Sequence, residues 1–316
     1  MKFLNYKFFS LFSLFLIFQI LSCSTSRQVI KRDNFGMDYR KKALTDPIYN
    51  PVKKKVALLT FINESPFGGE DLAIVATEEL RRELSKTRDY LVDPQVEQIF
   101  GSSKEIFASG GAQLVQMTKK AKVLGVNLVI YGRISKARVR QHTDEVGMMR
   151  DQRSFAESEV ELRIFDVNSG KEVYTDSQEG NVDDKTYRFY MDESKDNLDY
   201  RRALMRYSVQ LAIKKMTPKV VELGQKLEWM GRVAKILGTK IYINAGRQSG
   251  IQVGDVLKVT TEGQEIYDPE TGSLIGFADG EVKGTVEIID FFGPDGAVAI
   301  LHSGGAVTEG DFVELY

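Results

Sequence analysis

Val56-Ala57-Leu58-Leu59-Thr60-Phe61-Ile62-Asn63, led in by Lys53-Lys54-Lys55, is the stretch on which the fold turns. The apolar run is unbroken and too short for an ordinary helix. It suits a strand buried on both faces. Pro66, Gly68 and Gly69 then mark a loop. Beyond it Leu72, Val75, Ala76, Leu80 and Leu84 recur at helical spacing, with Glu78, Glu79, Arg81 and Arg82 available for the wet side. A strand covered on two faces with a helix directly after it is how α/β sheet domains begin.

Reading outward from that strand extends the same alternation. Tyr90-Leu91-Val92 is a short second strand. Leu114, Met117, Ala121 and Leu124 stripe a second helix that ends near Gly125. Leu128-Val129-Ile130-Tyr131 is another buried strand, continuing through Gly132 into polar sequence. The period then changes to two. Val160, Leu162 and Ile164 point one way, and Glu159, Glu161 and Arg163 the other. Asn168-Ser169-Gly170-Lys171 is a turn, and Glu172-Val173-Tyr174 starts the returning strand of a hairpin. Leu204, Met205, Tyr207, Val209, Leu211 and Ala212 make a long helix, with Pro218 ending or bending it. The expectation is an α+β fold: an α/β sheet domain over 55–225, built as two or three layers.

Val56 to Asn63 resembles the opening strand of the curli-secretion CsgG-like family. That family includes relatives of the penicillin-binding-protein activator LpoB, and its fold resembles the N-terminal domain of TolB. Gly125 to Ile134 is similar to the family's strand of the form GA-x-hydrophobic-G-x-hydrophobic. Val160 to Gly170, with Asp166-Val167-Asn168-Ser169-Gly170, is similar to its hairpin. The resemblance spans about 130 residues and rests on the order of these short motifs. It implies the fold, not the channel. Membrane strands need about 9–11 residues alternating apolar and polar. Asn63 to Glu70 is too short for this. Arg138 to Glu159 carries charges on both parities, and Asp176 to Arg202 is denser still in charge. Such charges against lipid cost several kcal/mol each near the midplane, so polar loops facing water or a protein partner are expected.

From Leu227 the chain becomes glycine-rich. Short strands are expected at Gly231–Ile236, Lys240–Asn244, Asp255–Val259, Glu281–Asp290, Ala297–Leu301 and Phe312–Leu315. A turn at Asp268 to Gly272 separates two more. The expectation for 226–316 is a small all-β barrel or sandwich. Asn244-Ala245-Gly246, Gly250 to Asp255, the Asp268 to Gly272 turn and Gly310-Asp311-Phe312-Val313 resemble the C-terminal domain of flagellar FlgT-like proteins. In that family a CsgG-like domain also comes first. The twice-used Gly-Asp, at Gly254-Asp255 and Gly310-Asp311, needs only a local reason. Glycine supplies the turn and aspartate bonds nearby amides.

The N-terminus carries a different signal. Lys2 and Lys7 precede Phe8 to Leu21, a run interrupted only by Ser10, Ser13 and Gln19. Charged start, short apolar run and small residues at the cut make a secretory signal peptide over residues 1–22. Ile20-Leu21-Ser22-Cys23 resembles the lipobox of bacterial lipoproteins, although Leu21 is larger than that position usually carries. The resemblance implies cleavage between Ser22 and Cys23 and lipidation, including acylation, of Cys23. Residues 23–54 then form a flexible tether, reaching ~30 Å as a coil. Its basic clusters, Lys31-Arg32 and Arg40-Lys41-Lys42, read as a solvated linker rather than a headgroup site. Ser24 follows the cysteine where Asp would retain a lipoprotein in the inner membrane, which implies the outer membrane with the body in the periplasm.

Cys23 is the only cysteine in 316 residues, which excludes an intramolecular disulfide and any multi-cysteine metal site. With 43 basic and 44 acidic residues, nothing suggests nucleic acid. No catalytic set is marked. His142 and His302 fall in different predicted domains, without Gly-x-Ser-x-Gly. Gly68-Gly69 lacks the Lys and Ser/Thr of a phosphate loop. Asp192, Glu193, Asp196 and Asp199 read as a solvated acidic face, since Lys195 and Arg201 interleave and no glycine-centred calcium loop is present. Trp229 and Tyr242 read as core or junction packing. No catalytic, cofactor or metal site is therefore expected. The expected role is a non-catalytic, lipid-anchored scaffold or assembly factor for an envelope, secretion or flagellar complex. It would bind protein partners and, as the resemblance implies, could form a ring of identical subunits. Two alternatives stay open: an activator of a peptidoglycan-synthesising enzyme, and an envelope enzyme with an unrecognised site.

Overall fold

The computed structural model describes residues 52–93, 99–100, 102–109, 112–143, 152–183, 198–272 and 274–316. Ser22, Cys23 and the expected signal peptide lie outside the described residues. The sheet comprises β1 (Lys54–Leu58), β2 (Ile62–Asn63), β3 (Tyr90–Val92), β4 (Leu128–Thr143), β5 (Gln152–Asp166) and β6 (Lys171–Asp183). Its order is β3-β1-β4-β5-β6, with β2 beside β4. β1 runs parallel to β3 and β4, while β4, β5 and β6 are antiparallel neighbours. Four helices cover it: α1 (Gly69–Ser85), α2 (Ser103–Ser109), α3 (Ala112–Leu124) and α4 (Leu198–Lys226).

The double burial expected of the first strand follows from its alternation. Val56 and Leu58, with Leu128 and Ile130, pack beneath α1 and α4. Ala57 and Leu59, with Val129 and Tyr131, pack beneath α2 and α3. The β1 end of the sheet is therefore the middle of three layers. Each fully buried side chain of this size contributes about 1.5–3 kcal/mol. α2 was not foreseen in the sequence; its Ile106 and Phe107 carry its apolar contact.

Four details correct the sequence reading. Glu79 is buried, 2% exposed, rather than on the wet side of α1. α4 packs against α1 there, and Glu79 pairs with Arg82 and with Lys214 at 3.8 Å. Of the two outcomes expected at Pro218, ending or bending, the first does not occur: α4 continues to Lys226. Met216, Val220 and Val221 on either side of it are buried, and that burial offsets the lost backbone bond. The segments expected as polar loops after Arg138 and Asp176 are strand through Thr143 and Asp183. Finally, Arg138, Arg140 and Glu157, which differ in parity along the chain, share one face: register pairs Arg138 with Glu157, and both arginines pair with its carboxylate. A bulge between Ile134 and Lys136 keeps Ile134 and Ala137 on the buried side.

The second part is a closed six-stranded barrel. Its strands are β7 (Met230–Leu237), β8 (Lys240–Ile243), β9 (Val256–Thr260), β12 (Val282–Phe292), β13 (Gly296–Gly304) and β14 (Phe312–Leu315). The fold is thus an α+β sheet domain followed by a small β-barrel. Trp229, 4% exposed, packs in the barrel core with Val233, Leu257 and Val286. The two Gly-Asp turns have one construction. Gly254 and Gly310 take φ near +94° (93° and 95°). Asp255 accepts from the Gln252 amide and Asp311 from the Thr308 amide, each at 2.7 Å. Between β9 and β12 the chain leaves the barrel as a two-stranded arm, β10 (Glu265–Tyr267) and β11 (Leu274–Phe277).

Candidate binding cleft at the junction of sheet and barrel

The junction is built from polar groups that the sheet supplies on one side and the barrel on the other. α3 ends in a Schellman arrangement. The Gly125 amide bonds the Lys122 carbonyl, the Val126 amide bonds the Ala121 carbonyl, and Gly125 sits at φ 69°. A Cβ at Gly125 would stand 2.5 Å from Asn244 Nδ2 of the barrel, so the glycine also permits the approach. Asn127, 2% exposed, bridges the two parts. Its Oδ1 accepts from the Lys55 amide at 2.9 Å and its Nδ2 donates to the Met230 carbonyl at 2.7 Å. Lys55 Nζ donates to the Asn244 carbonyl at 3.3 Å and lies 3.5 Å from Asp295. Asp295 in turn accepts from the amides of Gly246 and Ser249 and from the Ser249 hydroxyl. Even Val52, ahead of β1, packs in the barrel core.

Beside this junction the barrel arm reaches over the sheet. The Phe277 ring lies close enough to Gly170, in the β5–β6 turn, that a Cβ there would be 2.5 Å from it. Lys122 of α3 places its ammonium 3.6 Å from the Phe277 centroid and 3.2 Å from Glu262 Oε1. Its side chain is 7% exposed, while that of Glu262 is half exposed. Between α3 and the arm opens a cleft of about 570 Å³, lined by Lys119, Lys122, Val123, Arg232, Gln264 and Glu265 among others. Lys119 is 3.9 Å from Glu265. The Arg232 guanidinium lies over the Phe312 ring at 5.8 Å, and among the described residues no carboxylate pairs with it.

Two further ionisable clusters flank the sheet. Burial lowers the pKa of Lys54 against the pull of Asp89, and burial raises that of Asp89 against Lys54 and Gln225. On the face carrying α2, Arg133 and Arg163 lie over the Phe107 ring at 4.9 and 5.3 Å. Both bond Glu161 at 2.6 Å. Burial alone would raise the Glu161 pKa, but hydrogen bonds and charge from the two arginines outweigh it and hold it below the usual value. Tyr131 donates to Glu172 at 2.7 Å, and burial together with Glu172 raises its pKa.

The residues singled out in the sequence do not converge on this cleft. His142 lies opposite Arg153 on β4, and His302 is half exposed on β13, 4.0 Å from Glu287. Asp199, in the first turn of α4, pairs with Arg202 at 3.5 Å, and Asp192, Glu193 and Asp196 lie outside the described residues. Among the described residues no group of three or more His, Cys, Asp or Glu side chains is placed to hold a metal ion. Tyr242 stacks edge-on with Phe292 at 5.2 Å. The cleft residues Lys122, Arg232 and Phe277 come from α3, β7 and β11, and no local motif joins them. Only the expected helix end at Gly125 bordered the site.

No protein-family model matches the chain, and no curated protein is similar to it in sequence. Its similarity is to solved structures, which include bacterial lipoproteins. The hypothetical protein CT253 from Chlamydia trachomatis is 14% identical, over 55% of this chain and 99% of that one, with a TM-score of 0.34. Lipoprotein GNA1162 from Neisseria meningitidis is 18% identical over 55% and 99%, with a TM-score of 0.30. The LpoB C-terminal domain from Salmonella enterica is 15% identical over 45% and 90%, with a TM-score of 0.25. At these identities and scores the similarities carry no argument about function.

Proposed function

We propose that this chain is a bacterial envelope lipoprotein, anchored through Cys23, whose non-catalytic body binds or scaffolds other envelope proteins. One observation carries the reading: an apolar signal-like run ends at Ile20-Leu21-Ser22-Cys23, and that cysteine is the only one in the chain. We read the sheet part as CsgG-like and the barrel as FlgT C-terminal-like, on the residues already named. Among the described residues no helix is long and apolar enough to cross a membrane. That is compatible with attachment through a lipid, and it says nothing about membrane strands. The outer membrane is the proposed destination because Ser24 follows the cysteine.

The test is intact mass and membrane fractionation of the native protein beside Cys23→Ala. The expected result is a mature chain starting at Cys23 with added acyl mass, and loss of both acyl mass and membrane association in the variant. An unacylated native protein in the soluble fraction overturns the proposal.

A further inference from the structure

We propose that the cleft between α3 and the barrel arm is the partner-binding surface of this body, and that it takes an extended acidic peptide segment as a third strand beside β10. The inference deepens the partner-binding reading above and rests on it.

Three features of the cleft and of the arm that borders it favour this occupant. The first is its edge. β10 pairs only with β11, so its second edge is unpaired among the described residues. A two-stranded sheet is marginal by itself, and an extended segment added to an open edge gains main-chain hydrogen bonds. Here the arm is braced at Phe277, so an arriving strand meets a positioned edge rather than a free hairpin.

The second is charge. Lys119, Lys122 and Arg232 face Glu262 and Glu265, so cations outnumber carboxylates in the lining. Arg232 has no carboxylate among the described residues. Lys122 is buried, so the cation is already desolvated, while its partner Glu262 is half exposed and able to swing out. An incoming carboxylate can take that place opposite a cation whose own desolvation is already complete.

The third is the apolar side. Val123, 63% exposed, and the Phe277 ring share the lining with the cations. Outside the lining, Ile266, Tyr267 and Ile275 on the two strands of the arm are 45%, 50% and 47% exposed, large apolar side chains open to an added segment. In an extended segment successive side chains alternate in direction. Acidic residues at every second position can meet the cations while the apolar residues between them turn away from α3 toward the exposed side chains of the arm.

The test uses the full chain in detergent and fluorescence anisotropy of a fluorescein-labelled hexapeptide, Glu-Val-Glu-Val-Glu-Val. Two counterparts are run beside it: one with Gln for Glu, and one with alternate backbone amides N-methylated. Saturable binding of the first is expected, at least tenfold tighter than either counterpart and weakened by salt. Lys119→Glu, at a side chain 73% exposed, keeps the fold and is expected to weaken binding at least tenfold. Arg232→Gln is the second variant, its folding checked by circular dichroism. No binding, equal binding of the Gln peptide, or unchanged binding in both variants overturns the proposal. Equal binding of the N-methylated peptide overturns strand addition. Displacement by free glutamate at equal concentration would assign a small-anion site, and competition by a second copy of the chain would assign self-association; either overturns the peptide. Acylation is not read in any arm, so failure here is separable from failure of the Cys23 experiment.

Discussion

Replacing Asn127 by Ala should weaken the coupling of the sheet to the barrel. Asn127 is 2% exposed; its side chain accepts from the Lys55 amide within the sheet and donates across the junction to the Met230 carbonyl. A buried amide left without an acceptor costs about 1–3 kcal/mol, and a lost hydrogen bond at a carbonyl about 1 kcal/mol. The sum, about 2–4 kcal/mol, is a sizeable share of an ordinary total of about 5–15 kcal/mol. Urea unfolding of the full chain measures it. Asn181→Ala, at an exposed position on β6, is the control and should stay within about 0.5 kcal/mol. Trp229 is the only tryptophan and lies in the barrel core. Its fluorescence therefore follows the barrel, while far-ultraviolet circular dichroism is dominated by the helices on the sheet. In Asn127→Ala the two transitions should separate. A loss no larger than the control, with coincident transitions, refutes the reasoning that this side chain couples the two parts.

Gly125→Ala should destabilise more than Gly238→Ala. Both glycines have similar positive φ, 69° and 62°, worth about 1–2 kcal/mol each on substitution, but only at Gly125 does the new Cβ meet Asn244. Equal urea midpoints for the two variants would show that the contact contributes nothing. A second prediction concerns acid. The Glu161 pKa is lower folded than its ordinary 4.5, so its stabilisation is fully present above that value and is lost as pH falls through the folded value. Glu161→Gln should therefore be less stable than wild type at pH ~7, and the gap should narrow as pH falls below the ordinary carboxylate value. A gap that stays constant with pH would sink this assignment.

The order of sheet, helices and barrel strands was legible in the chain because each element carries its own period. Val56 to Leu59 and Leu128 to Tyr131 are apolar at every position, and they are the strands buried on both faces. Glu159, Glu161 and Arg163 alternate with Val160, Leu162 and Ile164, and that strand has one wet face. The barrel turns announced themselves through Gly-Asp. The errors have one cause. Glu79 was placed in water because its partner Lys214 lies far along the chain, on another helix. That the helix runs on through Pro218, the ending being one of the two outcomes expected there, depends on the burial of Val220 and Val221, which is a property of packing.

The cleft shows the limit most plainly. Local sequence determined that α3 ends at Gly125, that a strand follows, and that glycine-rich strands close the chain, since those depend on neighbours a few residues apart. It also holds the case for acylation at Cys23, which is a matter of linear motif. Tertiary structure alone decided that Lys122 meets Phe277 and Glu262, the latter 140 residues away, and that Asn127 meets Met230, 103 residues away. Side chains so far apart share no period or motif. Their meeting is set by how the sheet and the barrel pack.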